Sequence, residues 1–339
     1  MWFIYALVTT LAWGAADLFY KKGADEADRY SHLKTSMIVG FIMGGHAIAT
    51  LLVTGMEYNP VNLIVYLPVS MMYILSMTVG YFGLRYLELS ISSPIQNSSG
   101  AVCCILCLVI LGQGFADGIG DESLARTITV LTSVALVLIC FGVFFLGLLE
   151  RLELKRERAL LPDKDKAAQE KYRVGLVAFM MPVLYCIIDA LGTFFDAYYL
   201  DDYTATPLKN VTEDTFEDVA NVSYELTFLL CAVLILIFLV IKQRRASKTG
   251  AGNIVPLSLR EQKDRMLAAL FETAGQAAYV YAMSGNGVVA APMIASYSIV
   301  SLILSRIFLK EKLNRRQYIA VSAVLLGIAL LGVTEGLAE

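Results

Sequence analysis

YFGLRYLELSISSPIQNSSGAV, residues 81–102, returns as YVYAMSGNGVVAAPMIASYSIV, residues 279–300. Tyr81, Pro94, Ser98 and Val102 of the first copy meet Tyr279, Pro292, Ser296 and Val300 of the second. A further pair stands ahead of each copy. Trp13-Gly-Ala-Ala-Asp17 precedes the first, and Tyr185-Cys-Ile-Ile-Asp189 precedes the second. Similar segments in a common order across two halves mark a repeated unit. The basic stretch 150–173 divides the halves.

Both halves are apolar. With 57% hydrophobic and 17% charged residues among 339, and a mean hydropathy of +0.64, the chain is too apolar for a soluble protein of its length. A helix of about 20 apolar residues crosses a hydrocarbon core of about 30 Å. Ten stretches qualify, at 2–20, 33–55, 61–84, 93–112, 127–149, 174–200, 222–241, 266–283, 287–308 and 318–334. The fourth is the most polar, with Gln96-Asn-Ser-Ser99 near its start. Five spans per half is an odd number, so the second half inserts upside down relative to the first, a common build among secondary transporters. The expected fold is an all-α integral membrane protein of ten transmembrane helices in two inverted five-helix repeats. Residues 1–149 and 174–339 are the repeats, and 150–173 is their connector.

Basic residues orient the bundle. Of the 27 Lys and Arg residues, 25 lie in alternate connectors, and only Arg126 and Lys209 fall in the others. Cytoplasmic loops retain Lys and Arg, so the basic connectors face the cytoplasm and both termini face outward. The net charge of −3 averages over two unlike sides and identifies no partner. Basic loops of this kind contact anionic lipid head groups. The first apolar stretch has no basic residues before it and reads as a retained helix rather than a cleaved leader. The six Cys residues all fall inside expected spans, where packing rather than a disulfide framework accounts for them. Sequons at Asn210-Val-Thr212 and Asn221-Val-Ser223 border the acidic connector expected outside, where the first is open to glycosylation in a eukaryotic host.

On these residues the chain resembles the drug/metabolite transporter superfamily, in its ten-helix EamA-like branch. The carriers are Trp13-Gly14, the two repeated segments, and the ending Leu309-Lys-Glu-Lys-Leu313 followed by Val324-Leu-Leu-Gly-Ile-Ala-Leu-Leu-Gly332. That ending is similar to the family's "L-G-E-x-L … G-x-x-L-I-x-x-G". The likeness runs over nearly the whole chain, but its motifs are degenerate and inform fold more than substrate. Two departures stand out. Gln113 occupies a connector position where the family usually carries Glu, and the charge pattern places the termini outside where members are often described with them inside.

An ionised side chain in mid-membrane costs roughly 2.5–3.5 kcal/mol on insertion scales, so it usually faces the bundle interior. Asp17, His46, Asp189, Asp196 and Glu272 are such residues. Glu272, Gln276 and Tyr279 are spaced i, i+4, i+7 and share one helix face. That face either offers a carboxylate, an amide and a phenol to a solute or forms an interhelical hydrogen-bond seam. Asp17 and Asp189 are repeat mates expected near opposite mouths, as gating or proton-coupling sites; Lys21 at i+4 is an alternative partner for Asp17. His46 is a proton shuttle or a packing residue. Asp196 is expected to be solvated. Asn97 and Tyr297, with Tyr81, are expected to line the pathway, although the polar run at 96–99 also suits a helix cap.

The expected spans hold carboxylates and no Lys or Arg away from their ends. A carrier of phosphorylated solutes would place basic groups there. The expected cargo is therefore a cationic, zwitterionic or neutral metabolite or drug, with Tyr and Phe available for cation–π contact. No His-x-x-x-His, Gly-x-Ser-x-Gly or phosphate-binding Gly loop points to catalysis. Neither cofactor nor metal is expected. The leading function is a secondary transporter working by alternating access, proton-coupled or by exchange; the alternative is a non-transporting scaffold or sensor. The partners expected are a small solute, membrane lipids and protons, with no nucleic acid, in a monomer or homodimer. The expected location is the plasma membrane, as a multi-pass protein. Accessibility labelling should find residues 150–173 and 201–221 on opposite faces of the bilayer, and labelling of both from one face would overturn the inverted arrangement.

Overall fold

The computed structural model describes residues 2–25, 28–86, 89–97, 99–112, 114, 116, 119–160, 176–248, 258, 260–310 and 315–338. Among them every regular element is helical. In chain order these are α1 (Trp2–Gly23), α2 (Ser31–Thr54), the single turn α3 (Asn62–Val65), α4 (Leu67–Gly83), α5 (Leu89–Gln96) and α6 (Ser99–Leu106). A π-helical turn, Cys107–Leu111, extends α6. The remainder are α7 (Glu122–Leu160), α8 (Leu176–Leu200), α9 (Phe216–Lys248), α10 (Lys263–Ala295), α11 (Tyr297–Phe308) and α12 (Arg315–Ala338).

Among the described residues, six helical stretches are long and apolar enough to cross a membrane: Trp2–Gly23, Ser31–Thr54, Glu122–Gly142, Met180–Leu200, Phe216–Lys248 and Val289–Phe308. Leu67–Gly83 and Tyr318–Gly327 are shorter apolar helices. The fourth expected span is not one helix but two eight-residue pieces and a π turn. The polar run that made it doubtful as a span falls at its break. The ninth expected span breaks at the matching place, with Ser296 between α10 and α11. Asn286, at φ −165° and ψ 80°, kinks α10 where the eighth and ninth expected spans meet.

Two charged connectors are more ordered than loops. α7 continues to Leu160 and α9 to Lys248. Their extensions are rich in Glu, Leu, Lys and Arg, strong helix formers, and neither contains Pro or Gly. Residues 161–175 of the basic connector, and Gln113, lie outside the described residues.

The principal pairings join the two halves. α1 packs along α10, α4 along α8, α2 along α9, and α7 along α12. Such close crossings need small residues. A Cβ on Gly40 of α2 would meet the Phe228 carbonyl oxygen and lie 2.7 Å from Ala232 Cβ, whereas one on Gly45 meets nothing. α2 ends at Gly55, whose φ of +64° is the left-handed conformation glycine adopts at a helix C-terminus; its N–H donates to the Leu51 carbonyl oxygen.

Outside the spans, Asp121 caps α7. Its carboxylate accepts from the backbone N–H groups of Leu124 (3.2 Å) and Ser123 (2.8 Å), and these bonds hold it below the ordinary carboxylate value. A group lowered on folding stabilises above its unfolded value, about 3.9 for Asp, and ceases to as pH falls through the folded value. Amide-exchange protection at Ser123 and Leu124 should therefore drop on acidification below about pH 4, and be low at every pH in Asp121→Ala. Protection in wild type that ignored pH would count against the cap. Gly40→Leu should destabilise the detergent-solubilised protein by about 1–3 kcal/mol or more through overpacking, and Gly45→Ala should not. Equal thermal midpoints for the two variants would refute the α2–α9 contact.

Candidate functional site

A cavity opens between the halves, lined from α1, α4, α5, α6, α8, α9, α10 and α11. Its volume is about 60 Å³, several times the roughly 10–15 Å³ that one water needs. Asp17, Asn97, Tyr81, Asp189, Glu272, Gln276, Tyr279 and Tyr297 all line it. His46 does not.

Hydroxyl groups hold the two aspartates. Asp17 Oδ2 accepts from Ser93 (2.7 Å) on α5 and Ser301 (2.8 Å) on α11. Asp189 accepts from Ser99 (2.7 Å) on α6 and from Ser76 (3.3 Å) on α4. Each repeat mate thus takes one serine from the broken fourth span, Ser93 before the break and Ser99 after it, and a second from another helix. They face one cavity rather than opposite mouths, because α1 and α8 each cross the other half at the level of the helix breaks. Lys21, the alternative partner for Asp17, donates to the Leu84 carbonyl oxygen at 3.0 Å.

Glu272 is buried and accepts from the Tyr20 hydroxyl at 3.3 Å. It lies within electrostatic range of both Asp17 and Asp189. Trp13 is locked onto the same turn of α10: its Nε1 donates to the Glu272 carbonyl oxygen at 3.2 Å, and the Thr9 hydroxyl donates to that of Gly275 at 3.1 Å. Gly275 permits this, since a Cβ there would lie 2.6 Å from Trp13 Nε1. The indole stacks at a tilt on Tyr279, centroids 5.1 Å apart, and meets Tyr297 edge-on at 5.9 Å. Tyr20 and Tyr81 stand 4.6 Å apart on the adjoining wall. Gln96 Nε2 is buried with no hydrogen-bond partner among the described residues, a donor available to a solute.

Sequence reasoning missed the extent of the aromatic wall. Tyr20, Tyr73, Tyr185 and Tyr224 also line the cavity; Tyr185 is the repeat mate of Trp13, so the internal alignment held that clue. It also misjudged Asp196, which is 1% exposed rather than solvated and accepts a hydrogen bond from Tyr66. Only packing brings the head of α4 over that position. His46 instead pairs with Glu225 on α9, its Nδ1 2.8 Å from Oε2, away from the cavity lining. Cys103 and Cys107, one turn apart on α6 and its π extension, are buried with sulfurs 3.8 Å apart.

Residues 222–333, which carry Glu272, Gln276, Tyr279 and Tyr297, match the model of the EamA-like transporter family. That match spans about a third of the chain and shows that this segment is similar to the family. A protein of known crystal structure shares its fold at 12% identity, with a TM-score of 0.60 over 97% of this chain and 96% of that one. No curated protein matches the chain by sequence. With six described helical stretches long and apolar enough to cross a membrane, the chain has the make-up of a multi-pass integral membrane protein.

Among the described lining residues are three carboxylates and no Lys, Arg or His. Ser301→Ala should lower stability by about 1–3 kcal/mol through an under-satisfied buried carboxylate, seen as a reduced thermal midpoint. No change would mean that Asp17 does not depend on that hydroxyl.

Proposed function

We propose that the EamA-like chain is a secondary active transporter that moves a small organic solute through the central cavity by alternating access, coupled to protons or working by exchange. Its two five-span units, 1–149 and 174–339, are inverted repeats joined by the cytoplasmic connector 150–173, in the plasma membrane. The pairings support this arrangement. Exchanging the halves turns the α1–α10 contact into α8–α4 and returns α2–α9 and α7–α12 to themselves. The matching breaks at Asn97 and Ser296 follow the pattern of discontinuous helices beside transporter sites.

One observation carries the choice of solute. Asp17, Asp189 and Glu272 share an aromatic cavity whose described lining has no basic group. Carboxylates brought together in a low-dielectric interior repel one another, and an entering cation relieves that repulsion. Trp and Tyr faces add cation–π attraction worth about 0.5–2 kcal/mol. The site therefore favours a cationic or zwitterionic solute, with neutral ones admitted by Gln96, Asn97 and Gln276. Glu272, Gln276, Tyr279, Asn97, Tyr297 and Tyr81 bind it; Asp189 and Asp17 carry the coupling. A cavity with room for only a few waters must widen to admit such a solute, which the broken spans allow by hinging.

Uptake of radiolabelled amines, amino acids and neutral metabolites into proteoliposomes, with and without a pH gradient, tests the proposal. Saturable uptake of a cationic or zwitterionic solute is expected. Glu272→Gln and Asp189→Asn should each reduce it at least tenfold, about 1.4 kcal/mol. Uptake unaltered in both variants would remove the site, and no uptake of any class would favour a scaffold or sensor.

A further inference from the structure

Asp196 lies one step behind the cavity wall, in a place the transport reading does not use. It is 1% exposed, on the last two turns of α8. Tyr66, at the head of α4, donates to its Oδ1. Its other oxygen, Oδ2, is buried with no hydrogen-bond partner among the described residues. The hydroxyls of Tyr73 and Tyr279 stand beside the same carboxylate. Those two hydroxyls are 2.7 Å apart, and Tyr73 also donates to Thr193 at 3.0 Å. Tyr73, Tyr279 and Thr193 line the cavity. Two hydrogen-bonded hydroxyls of the cavity lining thus approach a carboxylate that itself lies outside the lining.

Beyond Asp196 is the loop between α8 and α9. It is pinned over α3 by Asn62, whose Nδ2 donates to the Lys209 carbonyl oxygen (3.0 Å) and whose Oδ1 accepts from the Lys209 N–H (2.8 Å). On the charge pattern this loop is external. The titratable groups that face Asp196 from packed helices are Tyr66 and Tyr73 of the α3–α4 segment, Tyr224 of α9 and Tyr279 of α10. Along its own helix the next acidic side chain toward the cavity is Asp189.

We propose that Asp196 is a proton-binding site joined to the solute cavity by the Tyr73–Tyr279 hydroxyl pair. A buried carboxylate with a free oxygen and no basic neighbour on its facing helices is neutralised by gaining one proton. Phenol hydroxyls both donate and accept, so they relay one. A proton from cavity water forms an O–H bond at Tyr279 as that hydroxyl's own proton passes to Tyr73 or to the carboxylate. The chain ends as an O–H on Asp196, one bond made for each broken and nothing oxidised. Because a solute touching Tyr279 alters the same hydroxyl, cavity occupancy and Asp196 protonation are linked, and linkage is reciprocal. This deepens the transport reading by naming where the coupled proton sits.

Infrared pH-difference spectra of the purified full chain in lipid nanodiscs test it without a solute. A titrating protonated-carboxyl stretch is expected in wild type and lost in Asp196→Asn. It should persist, shifted, in Tyr66→Phe, which keeps the test alive if Asp196→Asn does not fold. After a pH jump the band should appear at least tenfold more slowly in Tyr73→Phe/Tyr279→Phe, with its amplitude kept. A wild-type band unchanged in both Asp196→Asn and Tyr66→Phe, or unslowed in the double variant, overturns the proposal. Because no solute enters the measurement, a band that behaves as expected in a protein with no solute uptake would sink the transport reading and leave the proton site standing. Uptake with no such band would do the reverse.

Discussion

Two aspartates in an apolar bundle are held by serine hydroxyls rather than by basic side chains, and the arrangement of the helices follows from keeping them so. Each serine on Asp17 and Asp189 comes from a different helix. To bring Ser93, Ser99 and Ser301 to their aspartates, the fourth and ninth spans must both break at the centre. A continuous helix turns its side chains through all directions and presents few of them to one point. The breaks free backbone groups, which are tolerated at membrane depth where they border a cavity and are buried in protein. Among the described lining residues no Lys, Arg or His accompanies these carboxylates.

The cavity's aromatic wall depends on close approach between halves. Trp13 reaches Tyr279 and Tyr297 because α1 lies directly on α10 at Gly275, fixed by two hydrogen bonds to main-chain carbonyls. Gly80 does the same for Tyr185, whose ring would lie 2.8 Å from a Cβ there. Glycine in these helices therefore shapes the site as well as the packing. In lipid, where apolar surface gains little by leaving its surroundings, such contacts carry the association that burial would carry in water.

Much of this was legible in residues. Eight of the ten side chains singled out from polarity and helical spacing line one cavity, because an intramembrane polar group usually faces inward. The spacing of Glu272, Gln276 and Tyr279 put all three on one face, and the helix kept that face. Asp196 was misread because a residue near a span's end is either solvated or covered, and only the fold of α3 and α4 over it decides. His46 looked like the other polar residues in sequence, yet its partner Glu225 lies on a helix with no sequence signal linking the two. Tyr20, Tyr73 and Tyr224 were not singled out, because nothing in their spacing separated them from the other tyrosines of the chain.

What the amino-acid order determined by itself was an apolar, all-helical chain and the internal likeness of its halves. Hydropathy, charge asymmetry and repeated residues are local properties that need no partner to be read. The tertiary structure decided which oxygens meet: that Asp17 and Asp189 face one cavity, that Tyr73 and Tyr279 connect it to Asp196, and that His46 stands apart. Those are contacts between helices distant in sequence, set by close packing at glycines and by the cost of leaving a buried polar group unpartnered away from water.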